Sequence, residues 1–110
     1  MTMGDSISIA NLNDNLRVHR LGGRVVITRG VQIIGLEKVT TLLDLVADFD
    51  RFDSYNDPWG EHDCGTINFE GDRYLWKIDY YDPSMTYRSP DPSVPELTNR
   101  VLTIMRSDEY

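Results

Sequence analysis

The sequence predicts an α+β fold in which two or three helices cover a small, three-stranded, mostly antiparallel sheet. Two segments repeat apolar residues at helical spacing, and three others are rich in β-branched or aromatic residues. Each apolar helix face needs a sheet face against which it can be buried. Because 110 residues is a usual size for one domain, we expect a single compact domain over residues 1–110.

Both predicted helices carry their apolar residues on one face. The stripe of the first helix consists of Ile9, Leu12 and Leu16. The stripe of the second consists of Leu36, Val39, Leu42, Leu43, Val46 and Phe49. Ser6 or Ser8 offers an N-cap oxygen for the first helix, and a glycine pair at residues 22–23 marks its end.

The predicted strands are one isolated strand and one hairpin. The β-branched run over residues 24–29 forms the isolated strand. In the hairpin, Ile67 and Phe69 alternate along the first strand, and the turn lies around residues 71–72. One face of the second hairpin strand carries Tyr74, Trp76, Ile78 and Tyr80.

The C-terminal part combines a loop with an ambiguous segment. Prolines between residues 82 and 95 predict a surface loop, because proline cannot donate a ladder hydrogen bond. The apolar residues of segment 97–106 suit a buried helix or a strand about equally. Thr98 as an N-cap and the polar tail favour the helix.

The charge of the chain favours a basic partner. The formal net charge is −7, which opposes direct binding to nucleic acid, because such binding depends on cationic side chains that displace counterions. Residues 39–72 contain nine acidic residues against Arg51 alone. We therefore expect an acidic surface that meets a basic surface of a protein or nucleoprotein complex, with no cofactor.

The segment "NDPWGEHDCG", residues 56–65, is the most site-like part of the sequence. Asn56 and Asp57 before a proline, together with two glycines, are typical of a rigid turn between a helix and a hairpin. We interpret this turn as an acidic corner used for contact. The predicted partner-binding residues are Asp48, Asp50, Asp53, Asp57, Glu61, Asp63 and Tyr81.

The alternative interpretation is a metal-dependent or acid-base hydrolase. His62, Glu61 and Asp79 would then be catalytic, and Asp57, His62 and Asp63 are the candidate metal ligands. These residue types suit the chemistry, but the spacing matches neither a zinc-protease helix nor a calcium-binding loop. The alternative therefore requires the fold to bring these side chains together.

The remaining features favour a soluble, cytoplasmic protein. The lone Cys64 cannot form an intramolecular disulfide, which fits a reducing compartment. The N-terminal segment lacks the pattern of a signal peptide, and no apolar run is long enough to span a bilayer. We expect no contact with a membrane.

Four segments of the chain resemble one protein family in the same order. They are "GGRVVITRGV", "NDPWGEHDCG", "WKIDYYD" and the ending from "SPDP" through "RVLTIM" to "DEY". They resemble an uncharacterised bacterial family, domain of unknown function thirty-seven sixty-eight, from about Leu12 to Tyr110. The resemblance implies no reaction, but it implies an association with mobile genetic elements.

Two functions therefore remain open, besides a structural or toxin–antitoxin-like accessory domain, which the sequence neither supports nor excludes. The first is an inhibitor of a nucleic-acid-handling defence complex, of the anti-CRISPR or antirestriction type, whose carboxylates block a basic channel. The second is the hydrolase. The loop over residues 50–65 is central to both.

Overall fold

A four-stranded mixed sheet lies at the centre of the protein. The computed structural model describes the backbone of residues 3–110 and the side chains of residues 7–110. Its elements, in chain order, are α1 (Met3–His19), β1 (Arg24–Ile27), α2 (Arg29–Gln32), α3 (Leu36–Asp48), β2 (Cys64–Phe69), β3 (Asp72–Tyr81) and β4 (Asn99–Arg106), with short 3-10 helices over Pro95–Leu97 and Ser107–Glu109.

The strand order is β1-β4-β3-β2. The two pairs that involve β3 are antiparallel, whereas β1 runs parallel to β4. The predicted α+β class with two or three helices is confirmed. The predicted three-stranded, mostly antiparallel sheet is corrected to four strands, because residues 99–106 form a strand between β1 and β3.

The C-terminal segment is thus a strand, and the prediction of a helix was wrong. Arg100, Leu102 and Ile104 alternate onto the buried face and lie opposite three residues of β3, as the period of a strand requires. The sequence does not show that period, because its apolar residues form two adjacent pairs, Val101–Leu102 and Ile104–Met105. Met105 is also buried, but on the other face of the sheet. Thr98 is not an N-cap: it follows the 3-10 helix Pro95–Leu97 as its C-cap residue, and its hydroxyl lies 2.9 Å from the carbonyl oxygen of Val94.

Two boundaries differ slightly from the sequence expectation. β1 ends at Ile27 rather than at residue 29, because Arg29 begins the four-residue helix α2. The hairpin pairs Phe69 with Asp72. Its turn therefore consists of Glu70 and Gly71, which both have positive φ, 52° and 82°, as in a type I′ turn.

Helices α1 and α3 cover one face of the sheet. The core on that face includes Ile9 and Leu16 of α1, Val39, Leu42 and Val46 of α3, and Trp76, Ile78, Leu102 and Ile104 of the sheet. Gly65 permits this packing, since a Cβ there would lie 2.6 Å from Nε1 of Trp76. Leu36, expected in the stripe of α3, is exposed.

Helix α1 starts earlier than the serines suggested. It begins at Met3, so neither Ser6 nor Ser8 is its N-cap, and the side chain of Ser6 lies outside the described residues. Its buried face also includes two polar residues, Asn13 and Arg17. Among the described residues, no helix is both long enough and apolar enough to cross a membrane.

Candidate functional site

The segment between α3 and β2, residues 49–63, forms a loop braced by its own side chains; we call it the acidic loop. Oδ1 of Asp53 accepts hydrogen bonds from the backbone N–H of Tyr55 and Asn56, at 2.8 and 3.0 Å. Oδ1 of Asp57 accepts two more, from Glu61 and His62, at 2.9 and 3.1 Å. These turns hold the loop in one shape, as expected for a rigid corner.

His62 is turned towards α1. Its Nδ1 lies 3.0 Å from both carboxylate oxygens of Asp14, and its ring stacks on Phe52 with the ring centroids 4.0 Å apart. Its Nε2 lies 3.8 Å from Oδ2 of Asp57. The backbone of His62 has a positive φ of 55°, which few residues other than glycine adopt. The imidazole therefore helps to attach the acidic loop to α1.

A buried hydrogen-bond network connects the acidic loop to the sheet. Nδ2 of Asn13 donates to the carbonyl oxygen of Glu61 at 3.0 Å and to the hydroxyl of Tyr80 at 2.8 Å. Oδ1 of Asn13 accepts from Nε of Arg100 at 2.8 Å. The Tyr80 hydroxyl donates to Oε2 of Glu61 at 3.1 Å. Four elements of the chain thus meet at the Asn13 amide.

Sequence reasoning did not identify Asn13 or Arg100 as part of the site. The sequence nevertheless contained a spacing pattern that points to each of these two residues. Asn13 lies one helical turn from Ile9 on the stripe of α1, and Arg100 alternates with Leu102 and Ile104 in β4. A polar residue that follows the same spacing as the buried apolar residues of its element indicates a buried polar partner elsewhere in the fold.

A cleft of about 710 Å³ lies beside the acidic loop, at the edge of β3. Because β2 begins at Cys64, opposite Lys77, the end of β3 has no β2 strand beside it. Two loops flank this edge instead. The carbonyl oxygen of Asp63 accepts a hydrogen bond from the N–H of Ile78 at 2.7 Å, and the N–H of Ser89 donates one to the backbone carbonyl oxygen of Tyr80 at 3.0 Å. The cleft is lined by Trp59, Glu61, Asp63, Ile78, Asp79, Tyr80, Tyr81, Thr86, Tyr87 and Arg88.

The predicted partner-binding residues fall into three groups. Asp48, Asp50 and Asp53 are exposed. Asp57 and Glu61 are buried, with 8% and 7% of their surface exposed. Asp63 and Tyr81 are partly exposed and line the cleft.

The residues of the hydrolase alternative are divided between two places. Glu61, Asp63 and Asp79 line the cleft, whereas His62 and Asp57 are not among its lining residues. Oδ2 of Asp79 accepts a hydrogen bond from Nζ of Lys77 at 2.6 Å. Within the part of the chain whose side chains are described, no three His, Cys, Asp or Glu side chains form a group suited to a metal ion.

Burial shifts the protonation equilibria of the groups around the cleft. Burial, followed by repulsion from Glu61, raises the pKa of the Asp63 carboxyl. Burial also raises the pKa of the Tyr80 hydroxyl, so that Tyr80 stays a neutral hydrogen-bond donor. Burial and the neighbouring Asp63 raise the pKa of the Cys64 thiol, which makes it a weak nucleophile at neutral pH.

Two aromatic residues of the acidic loop are exposed. The side chain of Tyr55 is 95% exposed and that of Trp59 is 76% exposed. Large aromatic side chains are enriched at the centres of protein–protein interfaces. Sequence reasoning chose Tyr81 as the aromatic contact and did not select either of these residues, although both are visible in the loop.

Comparison with known proteins identifies a family for this chain. The model of the family described as "Protein of unknown function (DUF3768)" matches residues 27–109. This match confirms the family expected from the four segments. No curated protein and no solved structure matches the chain significantly. The chain therefore belongs to the DUF3768 family of proteins of unknown function.

Proposed function

We propose that the protein is a small acidic binding module that docks on a basic surface of another protein or nucleoprotein complex. One observation carries this proposal: the acidic loop and the residue before it present three exposed carboxylates together with two exposed aromatic side chains. The carboxylates are those of Asp48, Asp50 and Asp53, and the aromatic residues are Tyr55 and Trp59.

The bracing of the loop supports a role in binding. The hydrogen bonds accepted by Asp53 and Asp57 fix the loop before any partner arrives. A preorganised surface loses less conformational entropy on association than a flexible one. Exposed carboxylates accelerate the encounter with a basic surface, and the aromatic rings supply apolar area once contact is made.

The specific form that we propose is an inhibitor encoded on a mobile genetic element. It would act in the cytoplasm on a defence complex that handles nucleic acid, as an anti-CRISPR or antirestriction protein does. Its carboxylates would occupy lysine and arginine side chains that otherwise hold a phosphate backbone. The net charge of −7 and the association with mobile genetic elements that the sequence resemblance implies support this form.

Affinity capture tests the proposal. The tagged protein, stripped of metal, is incubated with nuclease-treated bacterial lysate at low and at moderate salt, and captured proteins are identified by mass spectrometry. We expect a basic nucleic-acid-handling protein that is captured at low salt and released as salt rises. Capture of no basic protein at either salt contradicts the proposal.

Acid-base chemistry in the cleft is the second candidate function. Glu61 and Asp63 both line the cleft, and the pKa of the Asp63 carboxyl is raised, as is common for a general acid. For this hydrolase, Asp63→Asn would abolish turnover while the contacts of the exposed loop stay intact. For a metal-dependent form, Mg²⁺, Mn²⁺ or Zn²⁺ would raise the unfolding temperature of the metal-stripped protein.

A further inference from the structure

The cleft combines aromatic walls with carboxylates. Trp59, Tyr81 and Tyr87 contribute aromatic side chains to its lining, and Trp59 and Tyr87 are largely exposed. Asp63 and Glu61 contribute carboxyl groups to the same lining. Aromatic faces and carboxylates both attract cations, so the two parts of the lining favour the same class of ligand.

Two of the carboxyl groups in the cleft have no basic partner in the described part of the chain. Asp79 is paired with Lys77, but no lysine or arginine of residues 7–110 forms an ion pair with Glu61 or Asp63. Oε2 of the nearly buried Glu61 accepts from Tyr80, whereas its Oε1 accepts no hydrogen bond from residues 7–110. Neither carboxyl group is therefore neutralised by a direct ion pair within residues 7–110, although Glu61 also feels the charge of the buried Arg100.

We propose that this cleft binds the guanidinium group of an arginine side chain on the basic partner. The inference rests on the proposed function, and it adds a specific pocket to the general acidic surface. The guanidinium is planar, so it can stack on an aromatic ring while its N–H groups donate to carboxylates. In the cleft, Trp59 and Tyr87 would provide the stacking faces, and Asp63 and Oε1 of Glu61 would accept hydrogen bonds.

The contacts of the chain's own arginines support arginine as the ligand. The guanidinium carbons of Arg100 and Arg88 lie 5.2 and 6.0 Å from the centroid of the Tyr80 ring. Arg88 is also the one basic residue among the lining residues of the cleft, and its side chain is exposed. A bound arginine would therefore be repelled by Arg88, and removal of Arg88 should strengthen binding.

Titration followed by nuclear magnetic resonance tests the inference. The probe is N-acetyl-arginine amide, which mimics an arginine residue within a peptide chain, and N-acetyl-glutamine amide at the same ionic strength is the neutral control. We expect saturating shifts of the Trp59 indole N–H and of the amides of residues 79–81 and 86–88. We expect affinity to fall about tenfold in Asp63→Asn and to rise at least about twofold in Arg88→Ala.

Three outcomes overturn the inference: shifts that do not saturate, shifts that lie away from the cleft, or an affinity unchanged in Asp63→Asn. These outcomes leave the proposed function in place if a basic protein is still captured from lysate. Conversely, arginine binding in the cleft without capture of a basic protein contradicts the proposed function. Asp63→Asn removes an unfavourable charge at a partly exposed position, so we expect this variant to fold.

Discussion

At the scale of single residues, Asn13 connects four elements of the fold. Its amide is fully buried and forms hydrogen bonds with the acidic loop, with Tyr80 and with Arg100. A buried polar group that loses its partner costs more free energy than the hydrogen bond itself contributes, because its desolvation is not compensated. Asn13 therefore matters to the stability of the loop as well as of the core.

We predict that Asn13→Ala lowers the free energy of unfolding by about 2–4 kcal/mol, because the Tyr80 hydroxyl, Nε of Arg100 and the Glu61 carbonyl each lose one buried hydrogen-bond partner. Urea unfolding monitored by circular dichroism measures this change. The matched control is Asn11→Ala on the exposed side of the same helix, for which we expect less than about 0.5 kcal/mol. Equal effects of the two substitutions contradict the role of Asn13.

The raised pKa of Asp63 predicts a pH dependence of stability. Its folded-state pKa lies above the ordinary value of 3.8, chiefly because of burial. The stability that protonated Asp63 contributes is thus fully present below pH 3.8 and is lost as pH rises through the raised pKa. Above the raised pKa, ionised Asp63 therefore lowers the free energy of unfolding.

We predict that Asp63→Asn has a higher unfolding temperature than the wild-type protein at pH 7, because an amide carries no charge to desolvate. The difference should shrink as pH falls through the raised folded-state pKa and become constant below pH 3.8. Thermal unfolding of both proteins across this pH range measures the difference. A variant that is less stable at pH 7, or a difference independent of pH, contradicts the predicted sign.

Sequence reasoning identified the acidic loop but not the orientation of its side chains. Whether a carboxylate of the loop faces solvent depends on partners that are distant along the chain. Glu61 is held inward by Asn13, 48 residues away, and by Tyr80, 19 residues away. No local pattern in the loop distinguishes Glu61 from the exposed Asp50 and Asp53, so the predicted set contained both kinds.

At the scale of elements, the C-terminal end of α3 is stabilised by another helix. Nη1 of Arg17 in α1 donates to the carbonyl oxygens of Val46, Ala47 and Phe49, at 2.9, 2.8 and 2.8 Å. The last turn of α3 contains no basic residue and ends in Asp48, whose charge is unfavourable at this end of a helix dipole. Arg17 compensates for this local conflict.

We predict that Arg17→Met lowers the free energy of unfolding by about 2–4 kcal/mol, because three carbonyl groups at the end of α3 lose a charged donor. The exposed Arg20→Met, near the end of the same helix, serves as the matched control and should change stability by less than about 0.5 kcal/mol. Chemical unfolding measures both variants. A small effect of Arg17→Met would show that solvent replaces Arg17 at these carbonyls.

The elements with a clear period were predicted well, and the element without one was not. The stripe of α3 and the alternation of the hairpin agree with the observed bounds within about one residue. In β4, the two apolar pairs Val101–Leu102 and Ile104–Met105 fit both a helix and a strand. The choice between them is made by pairing with β1 and β3, which are distant in sequence.

At the scale of the whole molecule, charge is distributed between interior and surface in a way that favours binding. Among residues 7–110, two arginines are buried, Arg17 and Arg100, and so are two carboxylates, Asp57 and Glu61. The exposed surface therefore keeps the negative excess of the chain. The exposed carboxylates of Asp48, Asp50 and Asp53 and the exposed rings of Tyr55 and Trp59 all belong to one segment, residues 48–59.

The most direct measurement is lysate capture with two charge variants. The loop variant is Asp48→Asn/Asp50→Asn/Asp53→Asn. The amide oxygen introduced by Asp53→Asn can accept the same two backbone hydrogen bonds, and the buried Asp57 is left unchanged. The control variant makes the same change in net charge at three exposed acidic residues elsewhere: Glu37→Gln/Glu96→Gln/Asp108→Asn. Both variants should remain folded, because all six positions are exposed.

We predict that the wild-type protein and the control variant capture the same basic partner at low salt, and that the loop variant captures at least about tenfold less of it. Such a result assigns binding to the acidic loop rather than to the net charge. Equal capture by the folded loop variant and by the wild-type protein contradicts the central claim that the exposed carboxylates of this loop form the docking surface.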